Sequence, residues 1–155
     1  MIKLSTQTVE KNWIDYNGHM NVAYYTWAFD VALDEMLYNY LGMDQAYMDK
    51  HKIGPFALQS QFLYMAELLE GEQFYTKVRI LDYDKKRIHL YSEIIREKDE
   101  VLSATWEGMS INVNHVTRKS EPYPKDIYQK IMEFHKITQD DPLPEYVGAP
   151  ISMRR

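Results

Sequence analysis

The chain has 155 residues and no cysteine. This absence excludes disulfide bonds, thiolate metal sites and a cysteine nucleophile. No apolar run approaches the roughly 20 residues that a membrane-spanning helix requires. The opening residues, MIKLSTQTVEKNW, contain neither an apolar signal region nor a small-residue cleavage site. We therefore expect a cytoplasmic protein with no membrane partner.

Three further absences narrow the class of function. The net charge is −5, which argues against nucleic acid as a partner, because such binding requires a basic surface. No serine lies in a nucleophile-elbow motif, so the sequence does not indicate a serine hydrolase. Four histidines lack the spacing of metal ligands, and we predict no metal: His51, His89, His115 and His135.

Aromatic residues, in contrast, are abundant at 14% of the chain, and they indicate packing in a core or at an interface. The hydrophobic fraction of 45% and the charged fraction of 26% are typical of a globular protein. We predict a single domain over residues 1–138. A proline-containing segment, residues 139–155, is predicted to form an extended C-terminal arm over the surface.

The hydrophobic pattern predicts a strand at residues 2–11 and a long helix from Val22 to Leu41. Asn21 is placed to cap this helix and Gly42 to end it. Apolar and aromatic residues occur on several helix faces, so we expect the helix to be enclosed by a curled sheet.

Four strand-like runs follow, at residues 56–68, 72–81, 87–96 and 101–113, and residues 124–136 read as a C-terminal helix. Short polar turns separate the runs, which favours an antiparallel meander. We therefore predict an α+β fold in which one antiparallel sheet wraps around a long central helix, with a short helix at the C-terminal end.

The most informative segment is the loop from Asp15 to Asn21, which leads directly into the long helix. A helix start presents unpaired N–H groups and a positive dipole end, so it can hold an oxygen that becomes negative. A carboxylate beside it is suited to hydrolysis of an activated acyl group. From the residues alone, the role that the pattern favours for Asp15 is a loop cap that accepts backbone hydrogen bonds.

The loop reads D-x-x-G-H-x-N over residues 15–21 and resembles the hotdog-fold acyl-CoA thioesterases of the 4-hydroxybenzoyl-CoA thioesterase type. The resemblance covers residues 6–122. A narrower similarity is to the thioesterases of carnitine and betaine metabolism, some of which are fused to carnitine dehydrogenase. Four stretches carry it: residues 13–20, 43–47, 84–90 and 103–107.

This resemblance implies hydrolysis of a small acyl-CoA, with betainyl-CoA as one candidate substrate and no cofactor beyond the CoA of the substrate. Asp15 would be the catalytic carboxylate, as nucleophile or general base, and the Val22 N–H would bind the oxyanion. His19 is either a general base or a structural hydrogen bonder. Asn17 either positions water or forms the turn.

The substrate-binding residues implied are Asn21, Tyr24, Tyr25, Gln59 and Trp106, with Trp27 and Tyr64 as further aromatic candidates. Packing in the core is the alternative role for these aromatics, and helix capping is the alternative for Asn21. The subgroup commonly has an acidic residue at the position of Gln59. Glu67 is a reserve catalytic candidate, and its alternative is an exposed strand end.

Lys85, Lys86 and Arg87 are candidates for the CoA phosphates, or else a solvated hairpin turn. Hotdog domains pair edge to edge, so the resemblance also implies a homodimer or homotetramer. Two alternative functions stay open: a general short- or medium-chain acyl-CoA thioesterase, and a hotdog module that binds an acyl thioester without hydrolysing it.

Overall fold

The computed structural model describes residues 1–153, and its elements follow the predicted order closely. The chain forms one antiparallel sheet with helices against it, which confirms the α+β prediction. In chain order the elements are β1 (Ile2–Thr8), α1 (Val22–Met36), α2 (Gln45–His51), β2 (Ile53–Tyr64), β3 (Gln73–Tyr83), β4 (Arg87–Arg96), β5 (Val101–Asn114) and α3 (Lys125–Thr138). The short helix α2 was not predicted.

Helix α1 has the boundaries that its capping residues predict. The Asn21 side chain accepts a hydrogen bond from the Ala23 N–H, which satisfies one of the unpaired donors of the first turn. A π-helical turn continues α1 over Leu37–Leu41, and Gly42 ends it in the left-handed region at φ 67°. The buried face of α1 repeats every three or four residues and packs on the sheet: Tyr25, Ala28, Phe29, Ala32 and Met36.

The prediction that the sheet encloses α1 holds for this face only. Val22, Trp27 and Tyr38, on other faces of the helix and its continuation, keep 55%, 47% and 37% of their surface exposed. A single five-stranded sheet is too narrow to surround a helix, so one flank of α1 stays open. That flank lies along β2, where a cavity of about 450 Å³ separates Trp27 of the helix from Phe62 of the strand.

The strand order is β1-β3-β4-β5-β2, so the predicted meander is correct for β3, β4 and β5 but wrong for β2. Strand β2 pairs with β5, and the segment after it crosses the ends of the strands instead of forming a hairpin. The Met65 N–H donates to the Ser103 carbonyl oxygen, and the Gly71 N–H reaches the Val9 carbonyl oxygen. Residues 65–72, hereafter the crossover, thus bring the chain from β2 at one sheet edge to β3.

The bounds of β2 also differ from the prediction of residues 56–68. The strand begins at Ile53 and already includes Gly54 and Pro55, which is compatible with an edge strand because proline lacks an N–H to donate. It ends at Tyr64, four residues early, since the crossover turns away there. The remaining strand predictions differ from the structure by three residues or fewer at each end.

Residues 139–153 contain no helix or strand and cross the outer face of the sheet, the face away from α1. Arg79 of β3 donates to the carbonyl oxygens of Asp141 and Pro142 at 3.2 and 2.9 Å. Glu107 of β5 accepts from the Gly148 N–H at 2.6 Å, and Gln61 of β2 donates to the Ala149 carbonyl oxygen. The last two residues of the predicted arm, 154–155, lie outside the described residues, and the domain boundary at 138 stays a prediction.

Within the described residues, none of the helices is long and apolar enough to cross a membrane.

Gly108 on β5 supplies the clearest packing constraint in the sheet. A Cβ atom at this position would lie 2.1 Å from Cζ2 of Trp106, whose side chain is buried against Phe29. We expect Gly108→Ala to lower the free energy of unfolding by about 1–3 kcal/mol, since the indole cannot move without displacing the core. Urea unfolding measures this effect. Thr117→Ala, at an exposed position in the turn after β5, is the control, and an unchanged midpoint for Gly108→Ala would contradict the packing argument.

Candidate active site

The loop that precedes α1 is closed on itself by backbone hydrogen bonds. The Asp15 N–H donates to the His19 carbonyl oxygen at 3.1 Å, and the Gly18 N–H donates to the Asp15 carbonyl oxygen at 3.0 Å. Gly18 has φ 83°, a conformation that side chains with a Cβ rarely adopt. The D-x-x-G-H-x-N motif therefore has the number of residues that this turn needs before the helix begins.

The Asp15 carboxylate is held by two donors of the same loop. Oδ1 accepts the Asn17 N–H at 2.7 Å, and Oδ2 lies 3.4 Å from the Asn21 Nδ2. Oδ1 of Asn21 simultaneously accepts the Ala23 N–H at 2.9 Å. One amide side chain thus caps the helix and orients the acid. The structure brings Asp15, Asn17 and Asn21 together, with Asn17 acting through its backbone.

The Val22 N–H, at the first position of α1, takes part in no hydrogen bond within residues 1–153. Val22 lines a cavity of about 360 Å³ between the helix start and the crossover. Other residues that line it are His19, Met20, Tyr25, Tyr64 and Glu67. Asp15 does not line this cavity. Its carboxylate is linked to the helix start by the contact with the Asn21 side chain. A free donor at the positive end of a helix, opening into a cavity, is suited to bind a developing oxyanion.

Tyr25 connects the helix to the crossover. Its hydroxyl accepts the Leu68 N–H at 3.2 Å and lies 3.5 Å from the Ala66 carbonyl oxygen. Burial raises the pKa of Tyr25 to about 12, and the nearby charge of Glu67 adds to this effect. Tyr25 is therefore a neutral phenol at physiological pH. Its ring packs edge-on against Tyr64, with the ring centroids 5.4 Å apart.

His19 also lines the cavity, and its ring is tied to the backbone. Nδ1 lies 3.1 Å from the Met20 carbonyl oxygen. Because a carbonyl oxygen accepts only, Nδ1 carries the hydrogen in this contact. Nε2 then remains for a second partner. This geometry is compatible with both roles predicted for His19.

Three predicted substrate-binding residues lie apart from this cavity. Tyr24 stacks on Trp13, with the ring centroids 5.3 Å apart. Trp106 packs on Phe29 and lines the cavities along the open flank of α1. Gln59 lies on the outer face of the sheet, in a cavity beneath the C-terminal tail that it shares with Glu107.

The basic hairpin of Lys85, Lys86 and Arg87 lies at the opposite end of the sheet. Strand β4 separates it from the crossover by nine residues, or about 30 Å at roughly 3.3 Å per residue. Arg87 pairs with Asp84 at 2.6 Å and holds the pKa of that carboxyl at about 2. The Lys86 Nζ lies 3.4 Å from the Ser120 carbonyl oxygen. The hairpin of one chain is therefore too distant to reach the same chain's cavity.

Met20 and Met65 line the cavity and were missed by the sequence analysis. Their position depends on the crossover, which no local pattern marks. In the part of the chain that the structure describes, histidine and acidic residues form no group of three that is suited to hold a metal ion.

Several proteins of known sequence are similar to this chain. A betainyl-CoA thioesterase of Pseudomonas aeruginosa is 26% identical over 141 residues, which cover 91% of this chain and 88% of that protein. An L-carnitine dehydrogenase/betainyl-CoA thioesterase of Rhizobium meliloti is 30% identical over 95% of this chain. The chain spans 30% of the length of that fused relative.

Solved structures show the same fold. A hypothetical protein of Staphylococcus aureus, determined in complex with CoA, is 31% identical with a TM-score of 0.91. The match covers 99% of this chain and 98% of that protein. A DHNA-CoA thioesterase of the same organism, 20% identical, has a TM-score of 0.80 over 90% of this chain and 95% of its own. Residues 9–131, which include the loop, α1, the crossover and the whole sheet except β1, match the family model of the thioesterase-like superfamily, and the chain belongs to that superfamily.

Proposed function

We propose that the protein hydrolyses a small acyl-CoA thioester to the free acid and CoA, with betainyl-CoA as the candidate substrate. The family, the two betainyl-CoA thioesterase relatives and the CoA-bound structural neighbour support this proposal. The observation that carries it is the unpartnered Val22 N–H at the edge of a cavity, at the start of the helix whose cap, Asn21, also contacts the Asp15 carboxylate.

In this reaction the thioester carbonyl oxygen lies on the Val22 N–H. As the carbonyl carbon becomes tetrahedral, negative charge grows on that oxygen, and the donor and the helix dipole stabilise it. A donor of this kind is worth about 3 kcal/mol in acyl transfer. Because the donor is a main-chain group, substitution of the Val22 side chain leaves it in place.

Asp15 acts on the carbonyl carbon in one of two ways. As a general base it removes a proton from water, and the resulting hydroxide attacks the carbon. As a nucleophile it attacks directly and forms a mixed anhydride, which water then hydrolyses. In both routes the carbon–sulfur bond breaks when the tetrahedral intermediate collapses, and CoA leaves as a thiolate. The hydrogen bonds from Asn17 and Asn21 hold the carboxylate for either route.

The substitution Asp15→Asn separates the chemical role from the structural one. An asparagine still accepts the Asn17 N–H through its oxygen, although its amide nitrogen cannot accept from Asn21 as Oδ2 of Asp15 does, and it is neither a base nor a nucleophile. We expect kcat to fall about 10²- to 10⁴-fold with CoA affinity retained. Thiol release from a panel of acyl-CoAs measures the loss, and calorimetric titration measures CoA binding.

Asp44→Asn is the matched control, because Asp44 caps α2 through the Tyr47 N–H and lies outside the cavity. It should leave kcat unchanged. Retained turnover in Asp15→Asn would contradict the catalytic role of the carboxylate. A folded wild-type protein that binds CoA but releases no thiol from any acyl-CoA would instead indicate the non-catalytic binding module.

We further propose that two copies pair through β2 as a homodimer, with a dimer of dimers as the larger alternative. Strand β2 is a 12-residue sheet edge, and such an edge exposes a row of unpaired backbone groups. Leu58 on this strand is 56% exposed, and the open flank of α1 beside it adds Val22 and Trp27. A second copy that pairs with this edge would cover both β2 and the open flank of α1.

We expect Leu58→Lys to convert the dimer into a monomer or to weaken the dimer at least tenfold, because the charge must lose its water at the interface. Analytical ultracentrifugation over a dilution series measures the dissociation constant. Leu143→Lys, at a 66% exposed position in the C-terminal tail, is the control. A dissociation constant that is equal in wild type and Leu58→Lys would rule out pairing through β2.

A further inference from the structure

The cavity at the start of α1 combines two aromatic rings with a carboxylate. Tyr25 comes from the helix, Tyr64 from the end of β2 and Glu67 from the crossover. Helix α1 and the segment that runs from the end of β2 into the crossover, which are distant in sequence, thus meet around one volume of about 360 Å³, the same volume that the Val22 N–H borders. An acyl group whose carbonyl lies on Val22 must extend into this space.

The two tyrosines present an aromatic wall to that space. Their rings meet edge to face, with an interplanar angle of 74°, so their faces point in different directions. The Phe62 ring is nearly parallel to that of Tyr64, with the ring centroids 6.4 Å apart. Tyr64 is still 48% exposed, which leaves ring surface free for a ligand. Aromatic faces attract ammonium groups, and tertiary or quaternary ammonium ions most commonly bind in such surroundings.

The Glu67 carboxylate supplies a negative charge, which adds to the effect of Asp99 in raising the pKa of the nearby Arg96 guanidinium. Within residues 1–153 none of the ion pairs includes its carboxylate. Arg96 donates to the Glu67 carbonyl oxygen at 3.0 Å, but its guanidinium is paired with both carboxylate oxygens of Asp99, at 2.9 and 2.8 Å. The carboxylate also lies near enough to Tyr25 to contribute to the raised pKa of its hydroxyl.

Three other acidic or aromatic side chains, Asp30, Trp27 and Trp106, lie too far from the Val22 N–H to bind such an ammonium group. In a betainyl group a single methylene separates the carbonyl carbon from the ammonium nitrogen, so both must bind in one cavity. Asp30 lies eight residues beyond Val22, about 12 Å along the helix at roughly 1.5 Å per residue. Trp27 and Trp106 line the separate cavity on the open flank.

We propose that Tyr25, Tyr64 and Glu67 form the subsite for a cationic, methylated ammonium on the acyl group, and that Glu67 sets the preference for a positive charge. This inference rests on the proposed thioesterase function and adds the recognition of charge to it. Glu67 is then a specificity-determining residue and takes no part in bond breaking.

The test compares betainyl-CoA with tert-butylacetyl-CoA, in which a carbon atom replaces the ammonium nitrogen at equal size. We expect the wild type to have the higher kcat/KM for betainyl-CoA. Glu67→Gln should lower the ratio of the two kcat/KM values about tenfold. The value for betainyl-CoA should fall, and the value for tert-butylacetyl-CoA should stay the same. Glu70→Gln, an exposed acid of the same crossover outside the cavity wall, should leave the ratio unchanged.

A second pair of variants tests the aromatic wall. Tyr64→Phe keeps the ring and should keep the preference, whereas Tyr64→Leu removes the ring and should lower it. An equal ratio in wild type and Glu67→Gln, or a wild-type preference for the neutral isostere, would overturn the inference. Hydrolysis of acetyl- or hexanoyl-CoA with neither isostere accepted would also overturn it while the thioesterase function stands. A wild type without activity on any thioester would reject the proposed function itself.

Discussion

The candidate site depends on one backbone position, Leu68, whose side chain is fully buried. Its carbonyl oxygen accepts the Met20 N–H at 2.8 Å, and its N–H donates to the Tyr25 hydroxyl at 3.2 Å. These two bonds attach the crossover to the loop before α1 and to the first turns of the helix. They add to the pairing of Tyr64 with β5 and to the hydrogen bond that the Glu67 carbonyl oxygen accepts from a side chain of β4, and they fix the distance between the helix start and the second wall of the cavity.

The hydrogen bonds around Asn21 also explain why the number of residues between Asp15 and the helix start is fixed. Asn21 has one side-chain oxygen and one side-chain nitrogen, and both are used, on the Ala23 N–H and on Asp15. A helix start has several unpaired N–H groups, and capping satisfies one of them while the Val22 N–H is left free. The polar groups of the loop are therefore divided between stability and binding, and the unsatisfied donor lies where the substrate would enter.

The sequence predicted those features that depend on interactions between residues close together in the chain. The capped helix, the strands β4 and β5, the loop motif and the hotdog thioesterase family were all predicted, and the family match confirms the last. The strand order could not be predicted, since Glu70 and Gly71 form the same turn signal in a hairpin and in a crossover. The positions of Gln59 and Trp106 relative to the loop depend on that order. Their side chains follow strand alternation, which places Gln59 on the outer face and Trp106 on the inner face.

Under the proposed function, the distribution of polar groups would separate catalysis from specificity. The Asp15 carboxylate belongs to a loop whose geometry is closed by its own hydrogen bonds and by one glycine, and the Val22 N–H belongs to the first residue of α1, directly after that loop. Tyr64 and Glu67 belong to β2 and the crossover, so under the proposed specificity a different acyl group would be selected by changing those residues while the loop is kept. The pairing edge of β2 ends at Tyr64, next to this wall. Because the strand and the wall are continuous, an arrangement of two subunits through β2 would hold the specificity residues in place as well as cover the open flank of α1.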